Sequence, residues 1–196
     1  TINAKFTSTV NTYTVNFDVE GVILDTQTLG YGSGVNYEGI APTKAGNATY
    51  HYVWTGWKCG SDTYSTTDTL PVVTGDVTYV ATFDEVINIY YVTFLDGDGT
   101  ELKKVPVDAG SASGIPSDIA TPTKAADAQY SYTFSHWSVG GTTYDGTTAV
   151  YENIEVRPEF TATTNKYDVT WLDGDGVLFA TTQVEYGQIA TLPSET

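Results

Sequence analysis

Hydrophobic and polar residues alternate along most of the chain with a period of two. In the segment YTVNF, Tyr13, Val15 and Phe17 occupy one face, and the two polar residues between them occupy the other. This alternation predicts a half-buried β-strand. No segment shows ten residues of helical periodicity, and IPSDIA (115–120) is expected to form at most one helical turn, capped by Ser117. The pattern therefore predicts a mostly β protein with little or no helix.

The alternating segments recur at a fixed interval, which indicates tandem repeats. The strands YTVNF, YYVTF and YDVTW start 77 residues apart. A middle block, APTKAGNATYHYVWTGW, matches TPTKAADAQYSYTFSHW at an offset of 80, so an insertion before the block is cancelled by a deletion after it. The predicted organisation is the last strand and linker of a preceding repeat at 1–12, complete repeat 1 at 13–89, complete repeat 2 at 90–166 and the first half of a following repeat at 167–196.

Each complete repeat is predicted to contain four strands, joined to the next repeat by linkers of about six residues such as DEVINI and TATTNK. Linkers this short do not allow free rotation, so an elongated, semi-rigid rod is expected. Pro158 lacks a backbone N–H and predicts an outer position or a bulge for the fourth strand of repeat 2. The incomplete ends, 1–6 and 167–196, are expected to be ordered by pairing with a neighbouring chain or an adjacent repeat.

The two aspartate-glycine stretches FLDGDGTEL and WLDGDGVLF have two interpretations, a calcium loop or a hairpin turn. An EF-hand loop needs Gly at position 6 and Glu at position 12. Counted from Asp96, these positions hold Glu101 and Val107, and position 12 counted from Asp173 holds Val184. Asp-Gly between two alternating strands is a strong hairpin signal. Both stretches are therefore predicted to be hairpin turns, with a weak surface cation site as the alternative.

Composition and charge exclude several classes of partner. The formal charge is −16, and the eight Lys and Arg residues are spread along the chain, so no basic patch attracts nucleic acid. The sequence has no run of about 18 apolar residues, so no membrane insertion is expected. The single Cys59 excludes an intrachain disulfide framework. The opening TINAKF, without Met or a signal peptide, indicates a segment of a longer protein.

No set of residues in the sequence has the spacing of a catalytic or metal centre. His51 and His136 are not equivalent in the repeat, and neither follows a nucleophile motif. Cys59 is interpreted as an inert thiol, with a thioester or an interchain disulfide as alternatives. Lys44 and Lys124 recur beside Pro and could form isopeptide links, but a loop position does not favour them. We expect no enzyme activity, no cofactor and no metal site.

The third strand carries the aromatic residues that could bind a ligand. Trp57 and Trp137 recur at equivalent positions and are expected to anchor the cores. The other aromatic residues of this strand are expected to include its opposite face, where they either cover the sheet and the inter-repeat joints or stack on sugar rings. The candidate ligand-binding residues are Tyr50, Tyr52, Trp54, Tyr130 and Tyr132.

These motifs together resemble the InlB B-repeat, or Listeria–Bacteroides repeat, of bacterial surface proteins, and the resemblance covers essentially the whole chain. Repeat 1 has YTVNF, YG (31–32), PTK (42–44), YVWTGW (52–57) and VTYVATF, and repeat 2 has YYVTF, PTK (122–124), YTFSHW (132–137) and IEVRPEF. The third start has YDVTWLDGDG and EYG (185–187). Two positions depart from the family pattern: His136 replaces the usual Gly, and Ala109-Gly110 replaces Tyr-Gly.

The resemblance implies small β-grasp-like units, repeated in secreted or wall-anchored proteins of Gram-positive and gut bacteria. It implies a non-enzymatic stalk or spacer in an adhesin, located outside the cell at the cell surface or cell wall, whose partners are the adjacent repeats of the same chain. The alternative is a module that binds a host protein or a glycan through the exposed aromatic residues of the third strand.

Overall fold

The computed structural model describes residues Thr1–Pro193. Every regular secondary-structure element in this range is a β-strand. The expectation of a mostly β fold is confirmed, and IPSDIA forms a single turn in which Ile119 N donates to Pro116 O at 3.3 Å. The described residues include no helix that could cross a membrane. The strands are β1 (Thr12–Val19), β2 (Val22–Gly30), β3 (Tyr50–Cys59), β4 (Asp62–Ser65), β5 (Val77–Ile87), β6 (Ile89–Leu95), β7 (Glu101–Asp108), β8 (Tyr130–Val139), β9 (Thr142–Thr143), β10 (Ile154–Thr164), β11 (Lys166–Leu172) and β12 (Leu178–Glu185).

The first compact unit, Thr1–Asn88, contains one five-stranded sheet in the order β2-β1-β5-β3-β4. Strands β1 and β5 are parallel neighbours at its centre, whereas the other neighbours pair antiparallel. A parallel pair needs a long crossover connection, and here β2, β3 and β4 with their loops supply it. The sheet is therefore mixed, with an antiparallel hairpin at one side of the central pair.

The core of the first unit lies on one face of this sheet. Alternation along β1 points Val15 and Phe17 inward, and both are fully buried. Trp57 of β3 and Tyr79 of β5 pack with them, and the Phe17 and Trp57 rings meet edge-on at 4.8 Å. Loop residues cover this face in place of a helix, with Val35 and Leu70 pairing in a single bridge. Burial in this cluster raises the pKa of the Tyr79 hydroxyl to about 12.

The second unit begins at Ile89 and repeats the arrangement as a sheet in the order β7-β6-β10-β8-β9. Strands β6 and β10 are its central parallel pair. The core again combines two inward residues of the first strand, the recurring tryptophan and loop residues. Its buried members are Val92, Phe94, Val107, Trp137, Tyr144, Val150 and Val156.

Both aspartate-glycine stretches are turns of antiparallel hairpins, which confirms the prediction. Asp96 N donates to Thr100 O at 2.7 Å between β6 and β7, and Asp173 N donates to Val177 O at 2.9 Å between β11 and β12. The Asp96 carboxylate also accepts hydrogen bonds from Thr123 N and Thr123 Oγ1. The Asp96 turn therefore holds the loop that contains PTK (122–124) against the sheet.

Two expectations from the sequence are wrong, and a third holds in one of its two alternatives. The linkers are not six residues long, because the strands extend through them until a single residue remains: Asn88 between β5 and β6, and Asn165 between β10 and β11. Residues 1–6 form no strand, since a strand needs a partner to pair with, and Phe6 is 90% exposed. Pro158 lies in the interior strand β10, just beyond the pairing with β6 and beside a bulge at Glu159/Phe160, so the bulge alternative holds and the outer position does not.

Candidate functional site

The third strand of the first unit, β3, carries three of the five predicted ligand-binding residues. A bulge at Thr55 adds one residue to β3 opposite β5, so side chains before and after it share a face. Trp54 therefore packs beside Trp57 with ring centroids 5.6 Å apart, and its Nε1 donates to Gly56 O at 2.8 Å. The other aromatic residues of the strand were expected to include the face opposite Trp57, but Trp54 shares the face of Trp57.

Tyr52 is half-buried and engaged on both its ring and its hydroxyl. The Lys44 ammonium lies 4.4 Å from the ring centroid, which is a cation–π contact, and also contacts Glu20 at 3.2 Å. The Tyr52 hydroxyl donates to Glu85 at 3.1 Å. This hydrogen bond, followed by burial, raises the pKa of Tyr52.

The third strand of the second unit, β8, repeats these contacts with different residues. Lys124 lies 4.0 Å from the Tyr132 ring centroid, and the Tyr132 hydroxyl donates to Asp127 at 2.9 Å. The pKa of Asp127 is lowered by hydrogen bonds from the backbone N–H of Tyr130, the Tyr132 hydroxyl and the backbone N–H of Gln129. The Tyr130 and Tyr132 rings are 6.4 Å apart, and Phe134 occupies the place that Trp54 has in the first unit.

The structure thus arranges the five candidates as two short rows, one in each unit. Tyr50, Tyr52 and Trp54 form the first row and Tyr130 and Tyr132 the second, and all five are half-buried. In each row a lysine covers one tyrosine ring, so a flat ligand would have to displace that lysine before it could stack. Binding by these rows stays a prediction.

The polar candidates do not come together in the described residues. His51 Nδ1 lies 2.9 Å from Asn88 Oδ1, while His136 Nδ1 lies 3.1 Å from Ser135 Oγ. Among residues 1–193, no three His, Cys, Asp or Glu side chains are grouped so that they could hold a metal ion. Cys59 is a half-buried free thiol.

The sequence reasoning missed the asparagine that ends each repeat. Asn88 N donates to Thr49 O, and Asn88 Nδ2 donates to Asn47 O, both at 2.8 Å. The Asn47 side chain in turn accepts from the N–H groups of Thr49 and Tyr50. Two asparagines thereby fix the end of β5 to the turn that precedes β3.

Asn165 makes the same contacts in the second unit and also binds forward along the chain. Its N–H donates to Gln129 O, its Nδ2 donates to Asp127 O, and its carbonyl accepts from Tyr186 N, each at 2.8 Å. Tyr167 of β11 donates its hydroxyl to Ala128 O. The β11–β12 hairpin is therefore hydrogen-bonded to the sheet before it. The signal was present in the sequence, because Asn11, Asn88 and Asn165 also lie 77 residues apart.

The sequence reasoning also missed a cleft beside β9 in the second unit. Its volume is about 500 Å³, and its walls come from the end of β8, from β9 and from the loop before β10. A cleft in the same place of the first unit measures about 260 Å³ and includes Cys59 in its lining. The only sequence signal is the shorter connection between third and fourth strands in repeat 2.

Comparisons with known proteins add little to this description of the site. No family model matches the chain, and no curated protein matches it. One similar solved structure is "Streptococcal High Identity Repeats in Tandem (SHIRT) domains 3-4 from cell surface protein", with a TM-score of 0.29 and 15% sequence identity. The similarity covers 78% of this chain and 99% of that chain. A TM-score this low carries no argument from that protein to this one.

Proposed function

We propose that the chain is a non-enzymatic, tandem-repeat segment of a bacterial cell-surface or secreted protein and that it acts as a stalk in adhesion. The observation that carries the proposal is the junction at Asn165. A stalk must transmit position from one repeat to the next, which requires that the joint between repeats resist bending. A joint of one residue, with hydrogen bonds on both sides, meets this requirement better than a flexible linker does.

The contacts of the junction support this role in three ways. Asn165 binds backward to Gln129 and Asp127 and forward to Tyr186. Tyr167 adds a hydrogen bond from the hairpin to the loop before β8. Lys166 and Glu185 lie 3.5 Å apart across the start of the hairpin, although an exposed ion pair adds little. The asparagine supplies most of the hydrogen bonds, so it is the residue to change.

The test is the motion of the β11–β12 hairpin relative to the second sheet, measured by backbone ¹⁵N relaxation and residual dipolar couplings. In the unchanged chain, amides of the hairpin and of the sheet are expected to fit one alignment tensor. Asn165→Gly removes the Nδ2 donor and frees the backbone, so the hairpin is expected to need its own tensor. Asn36→Ala, at an exposed loop asparagine of the first unit, is the matched control and should leave the hairpin unchanged.

A hairpin that already tumbles independently in the unchanged chain would contradict the proposal. Small-angle scattering supplies the second measurement, because a stalk segment must scatter as an elongated particle. A compact scattering profile would count against the proposal even if the junction proved rigid.

The second candidate function is the binding of a glycan or host protein by the third-strand aromatic residues. Its favouring observation is that Tyr50, Tyr52 and Trp54 form one continuous, half-buried row. A binding screen with Trp54→Ala as the control tests it. Binding that is lost in this variant would make the segment a recognition module as well as a stalk.

A further inference from the structure

The cleft beside β9 has an apolar floor and an aromatic wall. Val139, Val150 and Ile154 line it, with the buried Tyr144 below. The Tyr144 hydroxyl is held by Ser113 Oγ at 2.5 Å. Tyr151 stands at the side and is 50% exposed. The volume of about 500 Å³ falls within the range of about 300–1,000 Å³ found for small-molecule sites.

Polar groups without partners surround this floor. Thr142, Thr143, Thr148, Tyr151 and Glu152, which carry hydroxyl or carboxylate groups, all line the cleft. Within residues 1–193, none of these five side chains makes a hydrogen bond or an ion pair. The cleft thus combines an exposed aromatic ring with several hydrogen-bonding groups that a ligand could satisfy.

The backbone fixes the position of the aromatic wall. Val150 N donates to Ser111 O at 2.9 Å, and Gly110 N donates to Val150 O at 2.8 Å, so the residue before Tyr151 is held from both sides. The Tyr151 ring lies against Gly110, where an added Cβ would come within 3.2 Å of the Tyr151 hydroxyl oxygen. A ring held in this way loses little freedom when a ligand binds.

The first unit provides an internal comparison. It has the same backbone clasp, with Val73 N donating to Ser33 O and Gly32 N donating to Val73 O. However, the residue after Val73 is Thr74 where the second unit has Tyr151, and its cleft is about half as large. The ring and the enlarged space occur together in the second unit and are both missing from the first.

We infer that the cleft beside β9 binds a neutral pyranose sugar. A pyranose has an apolar face of C–H groups that packs on an aromatic ring and a rim of hydroxyls that pair with threonine hydroxyls and a carboxylate. The residues that line the cleft include no Lys or Arg, and the chain carries a formal charge of −16, so an anionic sugar is disfavoured. This inference goes beyond the stalk proposal and does not depend on it.

The experiment is an NMR titration of the ¹⁵N-labelled chain with the methyl glycosides of glucose, galactose, mannose and N-acetylglucosamine, each to about 50 mM, far above a roughly millimolar affinity. At least one sugar is expected to shift the amides of Thr142, Thr143, Tyr151 and Glu152 in a saturable way. The amide of Thr74 in the first unit should not move.

Two variants assign the effect to the cleft. Tyr151→Thr installs the residue of the first unit and is expected to weaken binding at least about tenfold, because the stacking surface is lost. Glu152→Gln keeps the shape of the side chain and is expected to weaken binding by a smaller factor. Both positions are exposed, so the midpoint of thermal unfolding should stay unchanged. Tyr31→Thr, at an exposed tyrosine of the first unit, is the matched control and should bind as the unchanged chain does.

Three outcomes would overturn the inference. The first is that no sugar in the panel shifts these amides. The second is that the shifts fall on the third-strand aromatic rows instead of the cleft. The third is that Tyr151→Thr, still folded, binds with unchanged affinity.

Discussion

The two units share one sheet topology but differ at the edge strand beside β3 and β8. In the first unit, β4 pairs with β3 from Gly56 to Cys59. In the second unit, β9 pairs with Ser138 and Val139, and Tyr144 N just after it donates to Trp137 O at 2.8 Å. The position of Gly56 is occupied by His136 in the second unit.

The glycine explains the longer edge of the first unit. Gly56 has a φ of +143°, and a Cβ built on it would lie 1.9 Å from the Tyr64 carbonyl oxygen. Strand β4 can therefore approach only because this position has no side chain. In the second unit His136 occupies the position, and the assigned edge strand is two residues long. The unit with the shorter edge also has the larger cleft.

The largest expected effect comes from giving the first unit a side chain at this position. Gly56→Ala combines backbone strain with a clash against a backbone carbonyl, and it is expected to destabilise the first unit by about 2–4 kcal/mol. Hydrogen–deuterium exchange read separately over residues 12–87 and 89–164 measures each unit. His136→Ala is the matched control and should change the second unit by less than about 1 kcal/mol. Equal effects of the two substitutions would contradict the explanation.

The second comparison concerns the loop that carries the PTK motif. In the second unit the Asp96 carboxylate accepts hydrogen bonds from Thr123 N and Thr123 Oγ1, whereas the corresponding residue of the first unit is the buried Val19. Asp96→Ala is expected to lower the unfolding midpoint of the second unit by about 5 °C, since the loop amide loses its acceptor.

The control for this loop is Asp173→Ala. Asp173 occupies the same place in the β11–β12 turn, but among residues 1–193 its carboxylate accepts only the N–H groups of Asp175 and Val177 within that turn. The five-stranded sheet should therefore keep its unfolding midpoint in this variant. A loss as large as that of Asp96→Ala would mean that the turn, not the clasp on the loop, is responsible.

The third prediction concerns the stability of the second unit at low pH. Hydrogen bonds from Thr123 N and Gly97 N lower the pKa of Asp96, and those from Tyr130, Tyr132 and Gln129 lower the pKa of Asp127. A depressed folded-state pKa contributes stability that is present above the ordinary carboxyl value of 3.8 and is lost as the pH falls through the folded value. The second unit should therefore lose stability below about pH 4.

The first unit again supplies the matched substitution for this prediction. Asn47 makes the same turn contacts as Asp127 without titrating. Asp127→Asn is therefore expected to flatten the dependence of unfolding free energy on pH between about pH 2 and 4 in the second unit. Denaturant titrations at a series of pH values measure this slope. An unchanged slope would show that Asp127 does not contribute to it.

The smallest effect is expected at the lysine that covers the third strand. Lys124→Met keeps much of the apolar stem but removes the charge over Tyr132, so the unfolding midpoint of the second unit should fall by about 1–2 °C. Lys5→Met, in the segment before β1, controls for the change in net charge. A fall of the same size in both variants would assign the effect to charge alone.

The alternation of residues such as Val15 and Phe17 was enough to predict the strands and the core, because a period of two has one structural meaning. The Asp-Gly hairpins were predictable for a similar reason, since positive φ restricts the residues at a tight turn. The face of Trp54 was missed, although the step of three residues from Trp54 to Trp57, after steps of two, marks the bulge in the sequence. The cleft depends on how a loop closes over an edge strand, which is a tertiary property.

The asparagine junction was not predicted from the sequence, for a different reason. Asn11, Asn88 and Asn165 were inside segments interpreted as linkers, and polar residues between strands favour that interpretation. The side chains of Asn88 and Asn165 donate to backbone carbonyls about 40 residues earlier, Asn47 O and Asp127 O. Side-chain patterns do not report the position of a carbonyl. The recurrence of asparagine at an interval of 77 residues was nevertheless visible in the sequence.

The parallel central pair of each sheet determines how a unit responds to mechanical force. The chain enters the first unit at the start of β1 and leaves it at the end of β5, and these strands lie side by side and parallel. Tension on the two ends pulls the strands in opposite directions along their shared ladder, so its hydrogen bonds are loaded in shear and must break together. An antiparallel hairpin pulled from its open end would unzip one bond at a time. The ladder has four residue pairs in the first unit and three in the second, so under rising tension the second unit is the one that yields first.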